Sequence, residues 1–226
     1  MGYHRAGFDV VGVDINPQPH YPFEFHLGDA LAYPTEGFDA IHASPPCQEV
    51  SSTRHLRDAQ GKKGRTVNLI PQTRDRLRAS GLPYVIENVP RAPLEDPIWL
   101  CGSMFSLRCE RGPLRRHRGF ESNVPLVAPA DTHRDLGRPV GVYGSMRDDI
   151  PAGGRTAQSI SEAQELMGID WMPWSRLVEA IPPAYTEAIG KQLMAYIIER
   201  DGQAKGSRLL AKVESRTPSL PGEGEG

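Results

Sequence analysis

Short apolar segments alternate with an amphipathic one in the first part of the chain, and this alternation constrains the fold more than any other feature. Residues 9–14 (DVVGVD), 38–43 (FDAIHA) and 84–87 (YVIE) are β-prone runs. Between the second and third lies 66–80, where leucines are interspersed with arginines and a Gly-Leu-Pro stop follows. The pattern predicts an α/β fold in which a mostly parallel sheet carries helices on both faces.

Distinctive side chains follow each of these predicted strands. Asp14 ends the first, the segment 44–48 (SPPCQ) follows the second, and Glu87 ends the third. Ligands of open α/β sheets bind at the carboxyl ends of the strands. We therefore expect these groups to line one pocket.

The rest of the sequence predicts less regular structure, followed by two helices and a tail. Residues 91–154 are rich in Pro, Gly and Arg, which favours irregular structure with a few antiparallel strands. Helices are predicted at 161–168, with Ser161 as N-cap, and at 183–200, where apolar residues share one face. From residue 202 to 226 the periodicity is lost, which predicts a disordered tail.

Length and composition bound the class of protein. The chain has 226 residues, three cysteines and a net charge of -2. We expect one domain with an insert at most. No apolar run is long enough to span a bilayer and no secretory signal opens the sequence, so we expect a soluble, cytoplasmic protein without a disulfide framework.

Positive charge is concentrated in two segments. Arginines and lysines outnumber acids between residues 49 and 78, and five arginines face one glutamate between 108 and 118. Such stripes are typical of a groove for a phosphate backbone, although solvated helix faces account for most charge runs.

Cys47 is the candidate nucleophile of the chain. A lone cysteine is more often a small buried side chain, but a thiol on a loop at a strand end, beside basic residues, has the exposure and positive field that favour thiolate. Pro45 and Pro46 restrict the backbone of that loop. Glu87, which alone would be read as a solvated strand end, would lie in the same pocket as an acid able to hydrogen-bond a heterocycle.

In their order and wording, SPPCQ, ENVP (87–90) and RRHRGFES (115–122) resemble the motifs of the DNA cytosine-C5 methyltransferases. The segments VVGVDINP, HLGDA, SEAQELMGI and EAIPPAYTEAIGKQL resemble further motifs of that family, so the likeness covers about residues 1–195. It implies a Rossmann-like sheet that binds S-adenosylmethionine. It also implies double-stranded DNA as the partner, with the target cytosine flipped out of the duplex.

The resemblance also implies roles for individual residues. Cys47 would add to C6 of cytosine, Glu87 would hold N3 and the amino group, Arg118 would contact O2, and Arg116 would help to hold the site. Cofactor contacts are implied for six residues: Asp14, Ile15, Asp29, Ala30, Pro46 and Leu69. Contacts to DNA are implied for seven: Gln48, Ser51, Arg54, Arg57, Lys62, Lys63 and Arg65.

The chain departs from the family pattern at three points. It begins at MGYHRAGF, inside the helix that in the family follows the first strand and its glycine-rich loop. Loss of that strand would expose the edges of its neighbours. The catalytic domain would comprise 1–118 and 155–201, which leaves only a short recognition-like insert at 119–154. Glu179 also opens a segment where many relatives carry an asparagine.

Other functions remain open at this point. The leading alternative is an inactive, DNA-binding remnant of the same family, and an RNA cytosine-C5 methyltransferase is a lesser one. Amino-methyltransferases are disfavoured because Cys47 stands where they carry an aromatic residue. The spacing of Cys101, Cys109 and His117 matches no common zinc site, and His55 lacks the partners of a thiol hydrolase. We expect no metal and no membrane partner, and a monomer. Protection of DNA from restriction, in a phage or another mobile element, is the natural role within the family.

Overall fold

The computed structural model describes residues 1–46, 68–130, 137–144 and 154–214, with side chains as far as Gly202. Its helices are α1 (Gly2–Arg5), α2 (Ile70–Ser80), α3 (Ile160–Met167), α4 (Trp174–Leu177) and α5 (Pro183–Glu214). Its strands are β1 (Val11–Asp14), β2 (Glu24–Leu27), β3 (Ile41–Ala43), β4 (Tyr84–Asn88), β5 (Ile98–Leu100), β6 (Arg108–Cys109), β7 (Gly112–Pro113), β8 (Arg118–Ser122), β9 (Val140–Gly141) and β10 (Arg155–Thr156). The fold is mixed α/β, as the sequence predicts at that level.

Four strands form the largest sheet, in the order β3-β4-β8-β5. β3 and β4 are parallel, as predicted for strands joined by a helical crossover, whereas β8 is antiparallel to both β4 and β5. The expectation of a mostly parallel sheet is therefore wrong for the part of this sheet formed by β4, β8 and β5. The helical structure within residues 89–117 is limited to one 3-10 turn (Gly102–Phe105), which is too short to serve as the helical crossover that a parallel neighbour needs.

β1 and β2 form a separate parallel pair. Both β1 and β3 are shorter than the predicted 9–14 and 38–43, and both are partly exposed rather than buried. Within the described residues each of these strands has one strand neighbour only. The exposure follows from this, because one long edge of each strand faces open space.

β4 is buried along its whole length and separates two layers of helix. Tyr84 and Ile86 pack with Leu77 of α2 on one face. Val85, which points to the opposite face, packs with Tyr185 of α5. One helix therefore packs on each face of β4.

α2 begins near its predicted position and ends where the sequence indicates. Pro71 lies in its first turn, where a missing N–H is tolerated. Gly81 adopts a left-handed conformation (φ 68°) and donates its N–H to the carbonyl of Arg78.

The two C-terminal helices differ in detail from the predictions. The N-cap of α3 is Ser159 rather than Ser161; its hydroxyl accepts from the backbone N–H of Glu162 at 3.1 Å. α5 buries the four predicted apolar residues: Tyr185, Ile189, Leu193 and Ile197. It extends to Glu214, so residues 202–214 are helical where a disordered tail was predicted, and 215–226 lie outside the described residues.

α1 lies directly against α5, and a glycine permits the close approach. A Cβ added at Gly190 would lie 2.8 Å from the Cβ of Ala6 and 3.0 Å from Cδ1 of Tyr3. Both distances are shorter than ordinary van der Waals contact, so a larger residue would force the two helices apart.

We expect Gly190→Ala to destabilise the protein by about 1–3 kcal/mol, because the added methyl group overpacks this contact. Gly202→Ala is the matched control in the same helix, since a Cβ there meets nothing within 4 Å. That control should gain up to about 1 kcal/mol from helix propensity. Urea unfolding of the three proteins measures both effects; equal stability of the two variants would contradict the close packing of α1.

An ion pair buried behind the sheet joins α2 to β8. The Nε of Arg74 lies 2.6 Å from Oε1 of Glu121, and its Nη2 lies 2.7 Å from Oε2. Both side chains are almost fully buried. Burial alone would raise the Glu121 pKa, but the hydrogen bonds from Arg74 and from the backbone N–H of Glu95 outweigh it, and the pKa is lowered.

Glu121→Ala should cost up to about 3–5 kcal/mol of stability, because it leaves the buried Arg74 charge with only the half-exposed Glu95 as an acidic partner. Lys191→Ala, which breaks an exposed pair with Glu187, should change stability by less than about 0.5 kcal/mol. Since the folded-state pKa of Glu121 is depressed, its contribution is present above the ordinary value of 4.5 and is lost as the pH falls below it. Denaturation curves at neutral and acidic pH test both statements.

Candidate active site

A cavity of about 570 Å³ lies between the edges of β1 and β3. Consecutive residues of each strand line it, namely 10–14 of the first and 40–42 of the second. Successive side chains of a strand point to opposite faces, so a run of consecutive lining residues means that the cavity meets the strand along its edge. Ser44 and Glu87, at the carboxyl ends of β3 and β4, also line it.

The loop after β3 is anchored to β4 by Asn88. The Nδ2 of Asn88, which is 2 % exposed, donates to the carbonyl of Pro45 at 2.9 Å. This hydrogen bond fixes the backbone at Pro45, and the next residue, Pro46, is exposed. Cys47 follows directly, and it lies outside the described residues, as do the seven predicted DNA contacts at 48–65.

Glu87 is the buried carboxyl group of the cavity rim. It is 6 % exposed, and its Oε1 lies 3.0 Å from the Nε of Arg118. Burial raises its pKa, although Arg118, a hydrogen bond from Ser44 and the more distant Arg116 all act in the opposite direction. Carboxyl groups whose pKa is displaced by burial and by a specific charged partner are common at functional sites.

The pairing of β4 with β8 brings these two residues together. Glu87 lies opposite Phe120 and Asn88 opposite Gly119, so Arg118 enters the sheet next to the end of β4. The Nη1 of Arg118 also donates to the carbonyl of His117 at 2.8 Å. The arginine is therefore held on two sides and directs its Nε to the carboxylate.

Arg116 is fully buried and contributes by holding backbone segments together. Its Nη1 donates to the carbonyl of Val142 and its Nη2 to that of Val178, both at 2.8 Å. The hydroxyl of Tyr185 donates to the carbonyl of Arg116 itself at 2.7 Å. Burial, and secondarily the charge of Arg118, lowers the Arg116 pKa.

The predicted cofactor residues divide into two groups. Asp14 lines the cavity, where its Oδ1 accepts from the N–H of Asn16 at 2.7 Å. The remaining five lie outside the cavity lining: Ile15, Asp29, Ala30, Pro46 and Leu69. Of these, Asp29 and Ala30 follow β2, whose end is tied to β1 by the N–H of Gly28 donating to the carbonyl of Asp14 at 2.9 Å.

Ile15 and Leu27, at the ends of β1 and β2, are 68 % and 64 % exposed. They provide apolar surface beside two carboxylates, those of Asp14 and Asp29. Leu69 is the N-cap residue of α2, and its carbonyl accepts from the N–H of Thr73 at 2.9 Å, which is a structural contact.

Sequence reasoning missed four polar residues of the site: Tyr3, His42, Ser44 and Asn88. His42 lies within the apolar strand β3 and Ser44 stands immediately before the two prolines, so the polarity of both was an available signal. Asn88 follows Glu87 in the same motif. Tyr3 could not be assigned, because it reaches the site only through the packing of α1 against the sheet.

We expect Arg118→Gln to raise the Glu87 pKa by about one unit or more, because it removes the charge that favours the ionised carboxylate. Arg108→Gln, at an exposed position on β6, is the matched control and should leave the titration of Glu87 unchanged. Carboxyl ¹³C NMR of glutamate-labelled protein, assigned with Glu87→Gln, measures the shift. Superimposable titrations of the wild type and Arg118→Gln would show that the pair is not electrostatically coupled.

Among the described residues no three His, Cys, Asp or Glu side chains are grouped so that they could hold a metal ion. The described helices include none that is long and apolar enough to cross a membrane. No model of a known protein family matches the sequence, and a search of curated proteins found no significant match. Function must therefore be inferred from the motifs and the geometry of the site.

Proposed function

We propose that this protein is a DNA cytosine-C5 methyltransferase with a Rossmann-like catalytic domain, which uses Cys47 as nucleophile and S-adenosylmethionine as methyl donor. The observation that carries the proposal is the buried Glu87 carboxyl group, 3.0 Å from Arg118, beside an Asn88 that anchors the loop leading into Cys47. An acid, a cation and a cysteine-bearing loop at the ends of neighbouring strands are the groups that this reaction requires.

Carbon C5 of cytosine is a poor nucleophile, and the protein's task is to activate it. Addition of the Cys47 thiolate to C6 forms a carbon–sulfur bond and moves an electron pair through C5 and the ring toward N3. Glu87 would share a proton with N3 and accept a hydrogen bond from the amino group, and Arg118 would donate to O2. Loss of the C5 proton after methylation then breaks the carbon–sulfur bond and restores the thiolate.

The residues near β1 and β2 fit the proposed cofactor. S-adenosylmethionine supplies an electrophilic methyl group when it is bound. Asp14 presents a carboxylate that could accept hydrogen bonds from ribose hydroxyls, and exposed Ile15 and Leu27 offer apolar surface suited to a flat adenine ring. Asp29 could accept from the adenine amino group.

Double-stranded DNA is the proposed partner because the chemistry needs a base that has left its stack. The seven residues at 48–65 named above supply five basic side chains next to Cys47 in sequence, which would contact phosphates. Binding through phosphates should weaken steeply as the salt concentration rises.

Release of tritium from DNA labelled at C5 of cytosine tests the addition step, because the thiolate adduct exchanges its C5 hydrogen with water. We expect exchange by the wild type, none by Cys47→Ala, and about 10²–10⁴-fold less by Glu87→Gln. Glu165→Gln, an exposed glutamate on α3, is the matched control and should retain full activity. Transfer of labelled methyl groups is measured in parallel on DNA and on RNA.

The outcomes separate the possible functions. Exchange together with methyl transfer to DNA supports the proposal, and preferred transfer to RNA would replace the DNA substrate by RNA. Exchange at C5 without methyl transfer would contradict methyltransferase activity, although the addition of Cys47 to cytosine would still be supported. Absence of both, with DNA still bound, is the result expected of an inactive DNA-binding remnant.

A further inference from the structure

Two hydrogen bonds lead from the first helix toward the buried carboxyl group of the site. The hydroxyl of Tyr3 lies 2.8 Å from Nδ1 of His42, and Nε2 of the same ring lies 3.0 Å from the hydroxyl oxygen of Ser44. Ser44 and Glu87 line the same cavity, and Ser44 acts as a hydrogen-bond donor that lowers the Glu87 pKa. This path crosses from α1 through β3 to β4, and all four residues line the cavity.

We infer that Tyr3 and His42 are positioning residues for Glu87: Tyr3 selects the His42 tautomer that carries its proton on Nε2, and this ring orients the Ser44 hydroxyl to donate to the Glu87 carboxylate. The inference deepens the proposed function and rests on it only for the effect on turnover. None of the three assisting residues needs to touch the substrate.

The direction of the proton donors follows from the chemistry of the two rings. Burial, with a smaller contribution from the Glu87 charge, raises the Tyr3 pKa far above its ordinary value of 10.0, so the phenol keeps its proton and has it available to donate. Burial lowers the His42 pKa to about 4, so the imidazole is neutral and carries a single N–H. If Tyr3 donates to Nδ1, as inferred, that N–H is on Nε2 and is directed to Ser44, which lies 3.0 Å away.

With its oxygen accepting from His42, the Ser44 hydroxyl has its own proton available to donate, and Glu87 is the acceptor whose pKa it lowers. The reverse order would use Ser44 as donor to His42, which would leave the carboxylate without this hydrogen bond. Hydrogen bonds to the charged form of an acid lower its pKa. The relay therefore opposes the upward shift that burial imposes on Glu87.

Other charges act on Glu87 from the surrounding elements. Arg118 of β8 pairs with it directly, and Arg116, in the segment before β8, lowers its pKa from a greater distance. Further ionisable residues line the same cavity: Asp9, Asp14, His20, Tyr21, Arg176 and Glu179. The relay is the neutral part of this environment, so its contribution should survive high salt while those of the distant charges are screened.

A purely structural role for these side chains is the rival explanation. Tyr3 packs edge-on against Phe8, with ring centroids 6.0 Å apart, and its ring lies 5.3 Å from that of His42. Tyr3→Phe separates the two explanations, because it keeps the ring and removes only the hydroxyl group. Tyr21→Phe is the matched control, since it removes a hydroxyl from the wall of the same cavity outside the relay.

The first measurement is the tautomer of His42 by imidazole ¹⁵N NMR, without DNA or cofactor. We expect the Nε2–H form in the wild type and in Tyr21→Phe, and a mixture of both tautomers in Tyr3→Phe. A wild-type ring that carries its proton on Nδ1 would overturn the inference.

The second measurement is the titration of Glu87 by carboxyl ¹³C NMR at high salt. Tyr3→Phe, His42→Leu and Ser44→Ala should each raise the Glu87 pKa by about half a unit to one unit, since each removes or weakens a donor to the carboxylate. His42→Gln, whose amide can still donate toward Ser44, should restore a value near that of the wild type. Identical titrations in the wild type, Tyr3→Phe and Ser44→Ala would overturn the inference.

The C5-exchange assay connects the relay to turnover. In Tyr3→Phe the limb of the pH profile that Glu87 governs should move to higher pH by the same amount as the NMR titration. Both NMR measurements are made on the free protein, so they stand if the chain proves inactive. If the His42 tautomer and the Glu87 titrations behave as expected but the protein does not catalyse exchange at C5, the proposed function is refuted and the positioning role of Tyr3 and His42 stands.

Discussion

The pairing of β4 with β3 on one side and β8 on the other is the constraint on which the rest of the structure depends. The apolar residues of β4 pack alternately against α2 and α5, so this short strand fixes the positions of both helices. Its last two residues, Glu87 and Asn88, are polar and nearly inaccessible to solvent. The strand that organises the core thus also carries the acid and the amide of the candidate site.

Burial of polar groups on this scale requires that each finds a partner. Glu87 meets Arg118 and Ser44, Asn88 meets the Pro45 carbonyl, and Arg116 donates to two backbone carbonyls. Unpaired, each of these groups would destabilise the fold by several kcal/mol. Stability and the arrangement of the site therefore depend on the same contacts, and the antiparallel entry of β8 supplies the arginine that a purely parallel sheet would have placed elsewhere.

The two halves of the cavity suit different tasks. The side formed by β3, β4 and β8 holds Glu87, Arg118, His42 and Ser44, which under the proposed function would control protons on the base. On the side formed by β1 and β2, Asp14 lines the cavity, whereas Asp29 and the exposed Ile15 and Leu27 lie outside its lining. Under the proposed function these residues would bind the nucleoside of the cofactor. Within the described residues the two sheets are not joined by strand pairing, so their relative position depends on side-chain packing around the cavity.

The sequence by itself determined the elements with strong local signals. The apolar strand at Tyr84, the glycine that ends α2 and the shared face of Tyr185, Ile189 and Leu193 all follow from periodicity and turn chemistry, which act over a few residues. It also singled out Glu87 and Arg118 as members of one site. The tertiary structure decided which groups meet: the ion pair between them, the anchoring of Pro45 by Asn88, and the path from Tyr3 through His42 to Ser44. Apart from the local His42–Ser44 bond, these contacts join residues about 30–45 positions apart, and no local preference specifies them, because they arise only when distant segments pack against the central strands.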